Sequence, residues 1–438
     1  MYAGEDWRAS IQRLREINAE CEEDEAAEMV AMAAINSSAS LLAQDAAPWK
    51  RGGSTPGRSP NAERNHVAGH NQLYNDYFAS DPVYNDRLFR RRFRMTRRVL
   101  DRLLNGVLEV DDYFRQRPDA AGNPGLSALQ KVTAALRIVC YGVAAVATDE
   151  YLRIGASTAA EAFRHFIAAV LTKFGAEYLR QPTAADIKRH TDINKLRGFP
   201  GMFGSLDCTH WVWKNCPVGW QGMFQDKDGD RSIIMEAVAT RNLWTRHSYA
   251  GIPGSNNDIN VIDRSPFMVN WLQGNAPDHK YQINGHDYKM CYLLCDGIYP
   301  AWSVFVKTIS SPTDAKQRLY AKMQEAARKD VERCFGVLQA RFALLAQPAR
   351  FWEQGTLEGV WYACVVMHNM IVEDEEGDTE AHADNYLETF EAPSIANAGV
   401  TFDTLLMQLA DVHDVVAQTA LQADLVEHLW ERNQALDL

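Results

Sequence analysis

The chain changes period near residue 196, and that change constrains the fold more than any other feature. Before it, apolar residues recur at helical spacing. Asp86–Val107 carries Leu88, Phe89, Met95, Val99, Leu100 and Leu103 on one stripe. Ser127 is placed to N-cap a helix through Leu129, Val132, Leu136 and Val139. Thr158 and Glu161 have capping-box spacing ahead of Phe163, Phe166, Ile167, Val170, Leu171 and Phe174, with Gly175 as the expected C-cap. After residue 196, apolar and β-branched residues come in short runs: Met202–Val212, Ser232–Thr240, Trp244–Gly251 and Tyr288–Leu294. Asp228-Gly229 supplies a turn between the first two. Helices are predicted near Asp258–Leu272, over Thr313–Phe342 and over Leu357–Val372. Strands interleaved with helices make a mixed α/β domain, preceded by an all-α region.

This pattern predicts four parts. Residues 1–70 are an acidic, weakly ordered segment and linker, and residues 71–195 are helical. Residues 196–375 form the α/β domain, and residues 376–438 are an acidic tail with an amphipathic helix around Phe402–Val416. In the helical part, helix, short helix, turn and helix follow in the order of a helix-turn-helix DNA-binding module, with Thr158, Arg164 and His165 on the polar face. An ordinary three-helix bundle with a solvated face has the same pattern.

The formal charge of −12 argues against a nucleic-acid partner only if it is evenly spread, and it is not. Residues 373–438 carry a net −15, residues 1–50 a net −6, and residues 51–372 a net +9. A basic body lies between acidic ends. The arginines Arg90, Arg91 and Arg94 belong to its densest cluster, which suits phosphate contact, nuclear import or a solvated helix face. The opening residues lack the apolar core of a secretory signal, and the apolar stretch around Val132–Ala147 contains Arg137 and is too short to span a bilayer, so no membrane partner is expected. Eight cysteines without a CxxC pair suit a reducing compartment.

Three carboxylates stand in unusual settings. Asp207 follows Met202-Phe203-Gly204-Ser205-Leu206 at the end of a predicted strand, and Asp296 follows Met290-Cys291-Tyr292-Leu293-Leu294-Cys295. An ionised group there is costly unless it is paired or metal-bound. Glu332 lies in the long helix 313–342. Carboxylates from two strands and a helix can converge on Mg²⁺, a hard ion that prefers oxygen. Asp330 competes with Glu332 for the third place, but two residues apart on a helix they face different ways.

Gly204-Ser205-Leu206-Asp207-Cys208-Thr209-His210, Leu294-Cys295-Asp296-Gly297-Ile298-Tyr299-Pro300 and the run Glu332–Phe342 together resemble the PIF/Harbinger transposases, in the plant-type transposon protein branch of the DDE superfamily. Pro253–Val261 and His368-Asn369-Met370 carry the same resemblance, which runs from about Asp86 to Val372. It implies an RNase H-like catalytic domain in which Asp207, Asp296 and Glu332 bind metal, with two Mg²⁺ ions, replaceable by Mn²⁺, serving DNA cleavage and strand transfer. It also implies a nuclear location, element ends and target DNA as substrates, assembly as a homo-oligomer on DNA, and a Myb/SANT-like partner protein. Arg328 and Lys329, about one turn before Glu332, are candidates for phosphate contact or helix solvation. Asp258 and His210 are candidates for supporting roles. Trp211, Trp213 and Trp220 would stack on bases or pack in the core. The alternative is a domesticated, non-catalytic DNA-binding or chromatin adaptor, a reading that decay among the three carboxylates would favour. None is seen.

Overall fold

A computed structural model describes residues 64–118, 122–265, 279–380 and 413–436. Its helical part comprises α1 (His66–Tyr77), α2 (Asp86–Phe93), α3 (Arg97–Val110), α4 (Ala128–Tyr141), α5 (Ala156–Tyr178) and α6 (Ala184–Lys195). Next come β1 (Met202–Val212), β2 (Ser232–Ala239), β3 (Thr245–Pro253), the short α7 (Asp258–Ile262), the hairpin β4 (Tyr281–Ile283) and β5 (His286–Tyr288), then β6 (Tyr292–Leu294) and β7 (Phe305–Val306). The helices α8 (Ala315–Arg341), α9 (Gln354–Glu380) and α10 (Val415–Leu436) complete the chain.

The main sheet has the order β3-β2-β1-β6-β7. β1, β2 and β3 are antiparallel, whereas β6 lies parallel to β1 and β7 parallel to β6. The fold is therefore mixed α/β. Residues 355–372 of α9 are buried throughout. A helix apolar on every side belongs inside a protein. α9 contacts β3 as well as α3 and α5, so the helical part and the sheet share one apolar core, from Phe89 and Phe166 through Trp361 to Met235. A second core, with Ile187 of α6, Phe203, Leu206, Ile262 and Tyr299, joins α6 and α7 to the sheet.

Several expected elements are shifted, each for a local reason. The segment 86–107 is two helices. Arg94 adopts φ 63°, and the Thr96 side chain accepts the Val99 N–H at 3.4 Å, which starts α3 afresh. Ser127 caps α4 as expected, in a capping box with Gln130. The capping box at Thr158 does not form. α5 begins at Ala156 after an extended Gly155, and the Glu161 carboxylate accepts the Tyr113 hydroxyl at 3.2 Å instead. Nor does Gly175 end α5, which runs on to Tyr178. The run Tyr288–Leu294 is divided between β5 and β6. Of the helix expected at 258–272, only Asp258–Ile262 forms before a turn at 263–264, and residues 266–278 lie outside the described residues. Of the amphipathic stretch Phe402–Val416, residues 402–412 likewise lie outside them.

The acidic end beyond Val372 is not simply a tail. α9 continues to Glu380 because its first carboxylates find arginines from four other helices. Glu373 accepts from Arg102 at 2.9 Å, and Asp374 pairs with Arg98 and accepts the Thr96 hydroxyl at 2.7 Å. Glu375 pairs with Arg90 and with Arg341 at 2.6 Å, and Glu376 pairs with Arg189 at 3.2 Å. Further on, α10 returns to the body. Leu421, Leu425 and Leu429, one stripe at i, i+4, i+8, pack with Tyr320, Leu294 and Val306.

Candidate active site

The parallel pairing of β1 with β6 sets the site. Ser205 is opposite Leu294, so Asp207 and Asp296 each lie two residues beyond that pair, Asp207 within β1 and Asp296 just past the end of β6. β1 continues through Asp207, where Ala237 of β2 pairs with it, whereas β6 has ended at Leu294 and Asp296 opens a turn. There the Asp296 carboxylate accepts the Ile298 N–H at 2.9 Å. Lys307 holds the same turn by donating to the Tyr299 carbonyl at 3.0 Å. Side chains alternate along a strand, so Ser205 and Asp207 share a face. Ser205 donates to the Ala327 carbonyl of α8 at 3.2 Å. The next α8 residue, Arg328, reaches Asp207.

Arg328 joins two of the three carboxylates. Its Nη1 lies 3.3 Å from Asp207 Oδ2 and its Nη2 lies 2.8 Å from Glu332 Oε1, one helical turn on. α8 is pinned independently of this contact. Gln324 donates to the carbonyls of Cys295 at 3.1 Å and Val306 at 3.0 Å, beside Asp296.

The rival carboxylate Asp330 is used elsewhere. It is 2% exposed and surrounded by Arg197, Arg241 and Arg333, the last at 3.2 Å. Glu332 is 43% exposed and lies on the Asp207 side.

Burial pushes the Asp207 carboxyl up to about 6, with Asp258 and Glu332 adding to the rise. The Cys208 N–H, at 2.9 Å from Asp207 Oδ1, and Arg328 oppose it. Asp258, the first residue of α7, is likewise raised by burial, with nearby Asp296 adding to the rise and His210 opposing it. The field of Asp258 thus reaches both strand aspartates. A sequence signal for it exists in Asn256-Asn257-Asp258, where Asn257 caps α7 and sets Asp258 in the first turn. The bridge made by Arg328 has no such signal, because its second partner is 121 residues away.

Among the described residues, no three His, Cys, Asp or Glu side chains already converge closely enough to hold a metal ion. The donor set still fits a hard divalent cation, being all carboxylate oxygen. Buried Asp207, with carboxylates about it, calls for positive charge, and Arg328 supplies part of it.

The other candidates divide. Arg90 is engaged with Glu375, whereas Arg91 and Lys329 are exposed. Arg94 is half-buried, its Nε without a hydrogen-bond partner. Arg164 lies on α5 near His165, whose ring stacks on Tyr113 at 4.0 Å and meets Asp111 at 2.7 Å. His210 meets Ser232 at 2.9 Å. Trp211 and Trp213 are core residues, their indole N–H groups donating to the carbonyls of Gln347 and Phe351, each at 2.7 Å. Trp220 is largely exposed.

Residues 176–380, just under half of the chain, match the family model described as plant transposon protein. This stretch is transposase-related. It runs from the last turn of α5 through the whole sheet to the end of α9 and contains Asp207, Asp296 and Glu332. A transposon protein family implies DNA as the partner. Residues 69–108, which include α2 and its arginines, match a family model described as a domain of unknown function. No curated protein and no solved structure matches the chain. Among the described residues no helix is long and apolar enough to cross a membrane.

Proposed function

We propose that this chain is a DDE-type DNA transposase or endonuclease of PIF/Harbinger kind, with an RNase H-like catalytic domain. The observation that carries this reading is that Asp207, within β1, and Asp296, in the turn after β6, each lie two residues beyond the parallel Ser205–Leu294 pair, with Glu332 joined to Asp207 through Arg328. The reaction is hydrolysis of a phosphodiester at an element end. Water adds to phosphorus, and the 3′-oxygen leaves and takes up a proton. The freed 3′-hydroxyl then attacks a target phosphodiester, exchanging one P–O bond for another.

Asp207, Asp296 and Glu332 would hold Mg²⁺, or Mn²⁺ in its place, as a pair of ions. Such ions favour deprotonation of the attacking oxygen and neutralise charge on the leaving one. The chain's own part is positioning. The middle of β1 holds Asp207 on the sheet, Gln324 and Ser205 fix α8 against it, and Lys307 steadies the turn after β6 that carries Asp296. Exposed Arg91 and Lys329 suit the DNA backbone, and Arg90, Arg94 and Arg164 on the helical part are further candidates for the same contact. A nuclear location, a homo-oligomer on DNA and a Myb/SANT-like partner complete the reading. The test is nicking of duplex DNA carrying the element ends, with Mg²⁺ or Mn²⁺ and that partner supplied. Cleavage that disappears in Asp296→Ala supports the reading, and wild-type protein that leaves the DNA intact under those conditions overturns it.

A further inference from the structure

We propose that the Arg328 guanidinium is a built-in counter-cation that closes the Asp207–Glu332 pair while no divalent ion is bound, and that it competes with the ion for these two carboxylates. The inference rests on the metal-site reading above and assigns Arg328 a regulating role in that site.

Its geometry is unlike that of an ordinary helix-surface pair. A guanidinium placed to fix one carboxylate commonly engages it with two parallel N–H bonds. Here the two terminal nitrogens are divided, one to Asp207 on β1 and one to Glu332 on α8. The cation therefore stands between a strand carboxylate and a helix carboxylate, the position a shared divalent ion would take. Arg328 and Asp207 are each only 18% exposed, so solvent screens this contact far less than a surface pair.

The pairing is also reversible by construction. Arg328 is not what holds α8 to the sheet, since Gln324 bonds the carbonyls of Cys295 and Val306 and Ser205 bonds that of Ala327. Glu332 is the more exposed partner, so its end of the bridge can open to water. An arginine on a flexible stem can leave without disturbing the helix, whereas the Asp207 carboxylate, only 18% exposed, is costly to leave without a cation. Exchange of one cation for another meets that requirement at every stage.

The test is Mn²⁺ binding to the full chain, measured by calorimetry and by water-proton relaxation without DNA. Asp296→Asn, which leaves the Arg328 contacts alone, defines the background. Arg328→Gln removes the competitor and is expected to tighten Mn²⁺ binding at the Asp296-dependent site roughly tenfold, the scale of one charge-assisted contact. Arg328→Lys keeps the charge but cannot span both carboxylates, so it is expected to bind with intermediate affinity. Equal or weaker binding in a folded Arg328→Gln protein overturns the proposal. If that variant does not fold, Arg328→Lys binding no tighter than wild type does so. Absence of Asp296-dependent binding in wild type and variants alike overturns the metal-site reading and this inference with it. Binding that is Asp296-dependent but indifferent to residue 328 overturns this inference alone.

Discussion

Asp374 near the end of α9 and Arg98 in the first turn of α3 form an ion pair across 276 positions of sequence, and the aspartate is the buried member, 6% exposed. The Thr96 hydroxyl, which also caps α3, donates to the same carboxylate at 2.7 Å. The helix start and the helix end are thus tied at one buried group. Asp374→Ala is expected to destabilise the protein by about 1–3 kcal/mol, the loss of two hydrogen bonds to a buried charge. Glu373→Gln, at a carboxylate 47% exposed, should cost less than about 1 kcal/mol. Urea denaturation of both variants checks the order, and equal losses would contradict it.

The candidate active site should be a place where the protein is less stable than it could be. The folded Asp207 carboxyl, pushed up by burial to about 6, lies above the unfolded value of about 3.9. Between those values the native state holds more protons than the unfolded chain, so stability falls as pH rises through the window and stays lower above it. Asp207→Asn, neutral at every pH, is expected to be more stable than wild type at pH 8 by about 1–3 kcal/mol in metal-free buffer. The gain should vanish near pH 4. Paired denaturation curves at the two pH values decide, and a variant less stable at pH 8 would speak against a strained site.

Acid should act through two buried histidines. Burial, then the charge of Arg246, depresses His190 to about 3. Burial and Arg341 depress His368 to about 3 as well. His190 Nε2 accepts from Arg246 Nε at 3.1 Å, which requires the neutral ring. The unfolded chain takes up these protons near 6.5, so the stability they contribute is complete above that pH and is lost as pH falls from 6.5 toward 3. Each histidine contributes a slope of up to about 1.4 kcal/mol per pH unit. His190→Gln should flatten the stability profile between pH 6.5 and 4.5, and an unchanged slope would show that the ring is not held neutral.

Gly254 is required by close approach. A Cβ there would stand 2.7 Å from the Ser232 carbonyl oxygen and 2.9 Å from that of Phe224, both backbone atoms that cannot swing aside. Gly254 also donates to that Ser232 carbonyl at 2.9 Å, extending the β2–β3 pairing towards α7 and Asp258. Gly254→Ala is expected to cost about 1–3 kcal/mol in chemical denaturation, the scale of overpacking. Loss of amide protection confined to residues 253–262 would show that the strain stays in this turn.

Much of the architecture was legible because it depends on local pattern. Strand runs at 202–212 and 232–240, the long helix over 313–342 and the cap at Ser127 follow from periodicity and side-chain chemistry within a few residues. The break at Arg94 was harder, since the apolar stripe of 86–107 passes through it and only the competing Thr96 cap restarts the helix. The basic cluster at 90–102 and the acidic run at 373–376 were each visible, but not that they face one another. The charge arithmetic placed them in separate parts of the chain, whereas the packing of α9 against α2 and α3 brings them together.

By itself the sequence determined where β1, β2 and the long helix α8 lie and that Asp207 and Asp296 follow apolar runs, because those properties rest on neighbours along the chain. Only the tertiary structure decided which arginines each carboxylate meets. Asp207 and Asp296 each lie two residues beyond the parallel Ser205–Leu294 pair, Arg197, Arg241 and Arg333 surround Asp330, and Arg328 ties Glu332 to Asp207. The physical reason is that a buried charge is settled by whichever opposite charge the packing delivers to it, and here the strand, the helix and their arginines come from distant parts of the chain.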